Sequence, residues 1–129
     1  MALINGIHHI AVRPTVENYP RTVEFYTKIL GMEVVQSWGP EEHPCLMVSC
    51  GDNSCMEILP FADTPDAPGG PLAHIAFWTD DVDGVVAAVR AAGYEVTSEP
   101  RDGELCGKQI RNAFLVGPVG EIIEPFQVK

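Results

Sequence analysis

Leu30-Gly31-Met32-Glu33-Val34 is echoed, sixty-two residues later, by Ala92-Gly93-Tyr94-Glu95-Val96. In each stretch a helical segment ends on a glycine and an extended run begins. Residues 18–30 carry Val23, Tyr26, Ile29 and Leu30 at helical spacing, and residues 82–92 carry Val82, Val85, Val86 and Val89 on one face. Gly31 and Gly93 suit the left-handed stop after a helix, because glycine adopts that conformation without a Cβ clash. Asp80 and Asp81 are the candidate N-caps of the second helix.

Working outward, the same order of elements surrounds both joints. A strand-like run precedes each helix, at 7–12 and 72–79. Three follow the first helix, at 32–38, 45–50 and 55–61, and three follow the second, at 94–97, 110–116 and 121–127. The chain therefore reads as βαβββ repeated. Residues 62–71, with three prolines and two glycines, separate the copies, and 117–120 (Gly-Pro-Val-Gly) form the last turn. We expect a duplicated α+β fold: one domain over residues 1–129, with module one at about 5–61, a linker at 62–71 and module two at 72–129. Neither module is large enough to bury a comfortable core alone.

Composition narrows the function classes. Eighteen acidic against eight basic residues give a formal charge of −10, and no basic cluster of the kind that binds phosphate backbones is visible. No nucleic-acid partner is expected. No apolar run approaches the roughly eighteen residues that span a bilayer, and the first residues lack the basic region and long apolar stretch of a signal peptide. We expect a cytoplasmic protein without a membrane partner. Cys45, Cys50, Cys55 and Cys106 form no CxxC pattern and are expected as free thiols in a reducing compartment, although Cys50 and Cys55 flank one turn.

Four polar residues interrupt apolar strands. His9 lies in Ile7-His8-His9-Ile10-Ala11-Val12, and His74 in Leu72-Ala73-His74-Ile75-Ala76-Phe77. Glu57 is flanked by Cys55-Met56 and Ile58-Leu59, and Glu124 by Ile122-Ile123 and Pro125-Phe126. An unpaired buried carboxylate is costly enough that it would take up a proton instead. Each module pairs a first-strand histidine with a fourth-strand glutamate, forty-eight residues on in one and fifty in the other. Two imidazoles and two carboxylates make an N₂O₂ donor set suited to a borderline or harder divalent ion. Strand alternation points His8 away from His9, and Ala73 takes its place in the second copy. His43 reads as a surface loop residue.

The segments GIHHIAV and RTVEFYTKILGMEVV, then LAHIAFWTDDVDGVVAAVRAAGYEV, then GPVGEIIEPFQ, resemble the vicinal oxygen chelate superfamily over nearly the whole chain. That superfamily includes glyoxalase I, methylmalonyl-CoA epimerase, extradiol dioxygenases and fosfomycin-resistance proteins. The resemblance implies paired βαβββ modules whose curved mixed sheets enclose a metal site. It also implies the ligand set His9, Glu57, His74 and Glu124, in the order of bacterial glyoxalase I. The ion would be nickel, cobalt, zinc, manganese or iron. The implied chemistry is lyase or isomerase proton transfer through a metal-bound enediolate, with lactoylglutathione lyase activity in front. Glu124 is the first choice of catalytic base, and Glu57 its rival or a second base.

The resemblance implies a small-molecule substrate, with a glutathione adduct leading, and a homodimer. Arg13 falls where glyoxalase I holds a glutathione carboxylate, while Phe61 stands where that enzyme has an asparagine. Trp78 and Phe126 share strand faces with His74 and Glu124, so they either line an apolar substrate pocket or pack between sheets. Other readings stay open: an epimerase of a carbonyl thioester, a dioxygenase or thiol transferase, or a non-catalytic binding protein of the bleomycin-resistance type.

Overall fold

The computed structural model describes residues 2–60, 72–117 and 121–129. The linker at 62–71, Phe61 and the turn residues 118–120 lie outside this set. The expected βαβββ order is present twice. In the first copy β1 (Gly6–Val12) leads to α1 (Tyr19–Glu24), then β2 (Val34–Trp38), β3 (Cys45–Ser49) and β4 (Cys55–Ile58). In the second, β5 (Leu72–Trp78) leads to α2 (Val82–Ala91), β6 (Val96–Leu105), β7 (Lys108–Val116) and β8 (Ile122–Val128). The class is α+β. Among the described residues, no helix is long and apolar enough to cross a membrane.

Strand order within the first copy is β2-β3-β4-β1, and within the second β6-β7-β8-β5. Both place the first strand parallel to the fourth, while the other pairings are antiparallel. The chain divides into two compact units, Met1–His8 with His74–Lys129, and His9–Ala73. The boundary falls inside β1, between His8 and His9. The residues before it join the second copy: Asn5 donates its backbone N–H to the Trp78 carbonyl at 2.8 Å, Thr79 Oγ1 donates to the Leu3 carbonyl at 2.8 Å, and the His8 ring lies against Trp78 and Phe126.

In the first unit of sequence, Tyr19, Leu46 and Ile58 form a buried cluster with Val12, Val23 and Tyr26 against it. Ile29 and Leu30 do not join it; they are exposed. After α1 the helix widens over Phe25–Ile29, where Leu30 N–H bonds to the Phe25 carbonyl five residues back at 2.9 Å. A wider turn takes more residues per revolution, so it carries the following side chains off the buried face. Helical spacing alone does not reveal that change.

The second helix follows its sequence pattern. Val82, Val85 and Val86 are buried, and Val82 and Val86 pack with Ala113. The Asp81 side chain caps the helix, accepting the Gly84 N–H at 2.9 Å. Gly31 and Gly93 take φ of 70° and 92°, as the helix stops require.

The expected strand at 94–97 is instead a ten-residue strand, β6, paired with β7 as a long hairpin. Its polar sequence hides it, because β6 is at the edge of its strand order and most of its residues face solvent. Pro100 is tolerated there beside register shifts, as prolines are on edge strands. Cys106 and Gly107, with φ of 50° and 83°, close the hairpin between Leu105 and Lys108. Two consecutive positive φ values match the handed twist of a tight hairpin turn. Among the described residues, Cys45, Cys50, Cys55 and Cys106 form no disulfide.

Candidate metal centre

Each histidine reaches its glutamate through the same strand register. In the first copy Ala11 stands opposite Glu57, and His9 is two residues before that alanine. In the second, Ala76 stands opposite Glu124, and His74 is two residues before it. Residues two apart on a strand share a face. The alanine opposite each carboxylate offers only a methyl group, so the glutamate can lean along the neighbouring strand toward the imidazole. Both alanines are fully buried.

The resulting pairs are close. His9 Nε2 lies 3.4 Å from Glu57 Oε1, and His74 Nε2 lies 3.1 Å from Glu124 Oε1. Two donor atoms bound at right angles to one ion, each at about 2.0–2.2 Å, would be about 3 Å apart. Both pairs therefore have the spacing of adjacent ligands. His9, Glu57 and Glu124 are buried, at 2%, 7% and 5% exposure. Carboxylates so far from water need a compensating positive charge or donors. Imidazole nitrogen and carboxylate oxygen also suit a divalent ion of borderline character. The residues fit a metal.

The second copy holds its pair from a third strand. Asn112 on β7 donates from Nδ2 to Glu124 Oε2 at 2.9 Å, and Phe114, two residues on, meets the His74 ring edge-on at a centroid distance of 5.7 Å. Asn112 was not singled out from sequence. Its signal in the sequence is weak: one amide beside Arg111 in a strand that also carries Lys108 and Gln109. In the first copy, burial and then the Glu57 carboxylate raise the pKa of the Cys45 thiol.

Of the residues proposed for substrate, Arg13 lines a cavity of about 620 Å³ with Asn18, Arg21, Thr22, Phe25 and Ile29. Its Nη2 donates to the Leu72 carbonyl at 3.3 Å. Phe126 is buried at 2% exposure against Ala76 and Ile110. Trp78 is partly buried, and with Phe126 it surrounds His8, whose ring lies 4.4 Å from Trp78 and 4.2 Å from Phe126. His8 thus packs against both aromatic rings. His43 is partly buried and meets Tyr19 edge-on at 5.4 Å.

Known proteins are similar to this chain over most of its length. A probable lactoylglutathione lyase of Vibrio parahaemolyticus is 30% identical, the match covering 97% of this chain and 93% of that protein. A second probable lactoylglutathione lyase, from Vibrio cholerae, is 29% identical over 84% of this chain and 82% of its own. Among solved structures, a Streptomyces coelicolor methylmalonyl-CoA epimerase variant in complex with 2-nitronate-propionyl-CoA superposes with a TM-score of 0.67. It is 29% identical and covers 96% of this chain and 97% of that one. The family model of the glyoxalase/bleomycin resistance protein/dioxygenase superfamily matches residues 6–121, which takes in His9, Glu57 and His74 and ends three residues short of Glu124. With duplicated modules, a histidine–glutamate pair in each and enzymes of this group among its relatives, the chain belongs to the glyoxalase/bleomycin resistance protein/dioxygenase superfamily.

Proposed function

We propose that His9, Glu57, His74 and Glu124 are the ligands of a divalent ion, and that the protein is a lyase or isomerase that moves a proton on a carbon beside a carbonyl. One observation carries this reading: the two copies repeat the same register, with each histidine two residues before the alanine that faces its glutamate. Two unrelated core ion pairs would have no reason to share that offset. The leading activity is lactoylglutathione lyase, supported by the names and near-complete coverage of the two Vibrio relatives.

When bound, a divalent ion stabilises the negative charge that develops on a substrate oxygen as the neighbouring carbon loses its proton. The two histidines would offer it Nε2, the nitrogen that faces each glutamate. Glu124 is the residue we assign to take the carbon-bound proton and return it to the adjacent carbon. Glu57 is its counterpart in the other copy, and either takes the second proton position or remains a ligand. Arg13, beside Arg21 in its cavity, supplies positive charge for a substrate carboxylate. Trp78 and Phe126 are the apolar residues we assign to the substrate's side of β5 and β8. The active species is a homodimer in the cytoplasm.

The test is turnover of the hemithioacetal of methylglyoxal and glutathione by protein reconstituted separately with nickel, cobalt, zinc, manganese and iron. Turnover with at least one metal supports lactoylglutathione lyase activity, and none with any of them removes that activity while leaving the metal site. A second reading is epimerisation of a carbonyl thioester, favoured by the 29% identity and TM-score of 0.67 to the epimerase structure. Epimerisation of methylmalonyl-CoA by the same preparations, without lyase turnover, would select it.

A further inference from the structure

We infer that Asn112 is a positioning residue for Glu124, fixing which carboxylate oxygen is offered to the ion; this rests on the metal reading above. The two oxygens of Glu124 have separate partners. Oε1 faces His74 Nε2 at 3.1 Å, and Oε2 accepts the Asn112 amide at 2.9 Å. An ionised carboxylate has only acceptor sites, so the Asn112 NH₂ group is chemically matched to it, and a carbonyl or apolar group there would not be. With Oε2 held, the side chain cannot rotate to exchange its oxygens without breaking a hydrogen bond to a charged group, which is stronger than a neutral one.

The hold also suits a base. A carboxylate that picks up a proton on Oε1 and gives it back keeps its place if Oε2 stays bonded throughout. Asn112 reaches Glu124 from β7, the antiparallel neighbour of β8, where it stands opposite Phe126, two residues beyond the glutamate. The corresponding position in the first copy is Cys45: β3 pairs Leu46 with Ile58, and one further step places Cys45 opposite Leu59, two residues beyond Glu57. A thiol is a weak donor where an amide is a strong one. The copies therefore differ at this register position, with an amide behind Glu124 where a thiol stands in the first copy.

The test uses cobalt(II) alone, with affinity measured by titration and coordination read from the visible absorption of the bound ion. Asn112→Leu removes the donor at similar size. Asn112→Asp keeps the shape but sets a second carboxylate against Glu124. Loss of a supporting hydrogen bond to a ligand costs on the order of 10–100-fold in metal affinity. We expect Asn112→Leu to fall in that range with an altered cobalt spectrum, and Asn112→Asp to lose more, while the metal-free variants keep the far-ultraviolet circular dichroism of the parent. Should one variant fail to fold, the other decides. Parent-like affinity and spectrum in a folded variant, with the parent binding cobalt tightly, would overturn the positioning role alone. A parent protein that binds no cobalt would overturn the metal reading, and this inference with it.

Discussion

Ala11 and Ala76 face the two buried glutamates, and their small size is what lets each carboxylate reach along the sheet to its histidine. Ala76→Val would add two methyl groups in a fully buried position beside Glu124. We expect it to destabilise the metal-free protein by about 1–3 kcal/mol, the usual cost of overpacking, measured by denaturant unfolding. Metal affinity should fall as well, because the carboxylate is pushed out of line with His74. A Val variant that unfolds and binds metal like the parent would show that the alanine leaves no needed space. Ile58, fully buried beside Tyr19 and Leu46, gives a contrasting case. Ile58→Ala should cost about 2–5 kcal/mol through the cavity it leaves. Polar residues in apolar strands drew attention to His9, Glu57, His74 and Glu124, and each histidine lies beside its glutamate. Asn112 was not readable, because an asparagine in a half-exposed strand is ordinary until its partner across the sheet is known.

At the scale of elements, the α2 segment is legible almost residue by residue: an aspartate cap, valines at helical spacing and a glycine stop. Asp81→Ala should lower stability by roughly 1 kcal/mol, the usual loss when a helix N-cap is removed, again read by denaturant unfolding. The β6–β7 hairpin is harder to read, since edge strands need no apolar face and its outer half is polar. That hairpin and α2 are tied together by Arg111, which donates to both Asp83 oxygens at 2.8 Å and to Asp102 at 3.1 Å; Lys129 adds a contact to Asp102 at 2.7 Å. Hydrogen bonds from Arg111 hold the Asp83 carboxyl below its usual range, and bonds from Lys129 and Arg111 do the same for Asp102. Folded values below the unfolded ones mean that this stabilisation is present above the ordinary aspartate pKa and is lost as pH falls through the lowered values. The contribution is small, because these groups are exposed to solvent. The stability gap between parent and Arg111→Gln should therefore be flat from neutral pH to about 5 and close below about 4, near the aspartate range. A gap that persists unchanged at pH 2.5 would assign it to packing of the arginine stem.

For the whole molecule, the repeat of βαβββ was visible because the two copies keep the same joint, Leu30-Gly31 and Ala92-Gly93, and the same interruptions by histidine and glutamate. The division of the chain at His8 and His9 was not, because it depends on bonds from Leu3 and Asn5 to residues seventy or more positions away. The central claim is that two pairs, one from each copy, serve a single ion. Metal stoichiometry and affinity across the parent, Glu57→Gln and Glu124→Gln test it directly. Sharing predicts one divalent ion per chain in the parent, and loss of affinity on the order of 100-fold or more in either variant, beyond what loss of a supporting residue costs. Two ions per chain, or unchanged content and affinity in both variants, would contradict it.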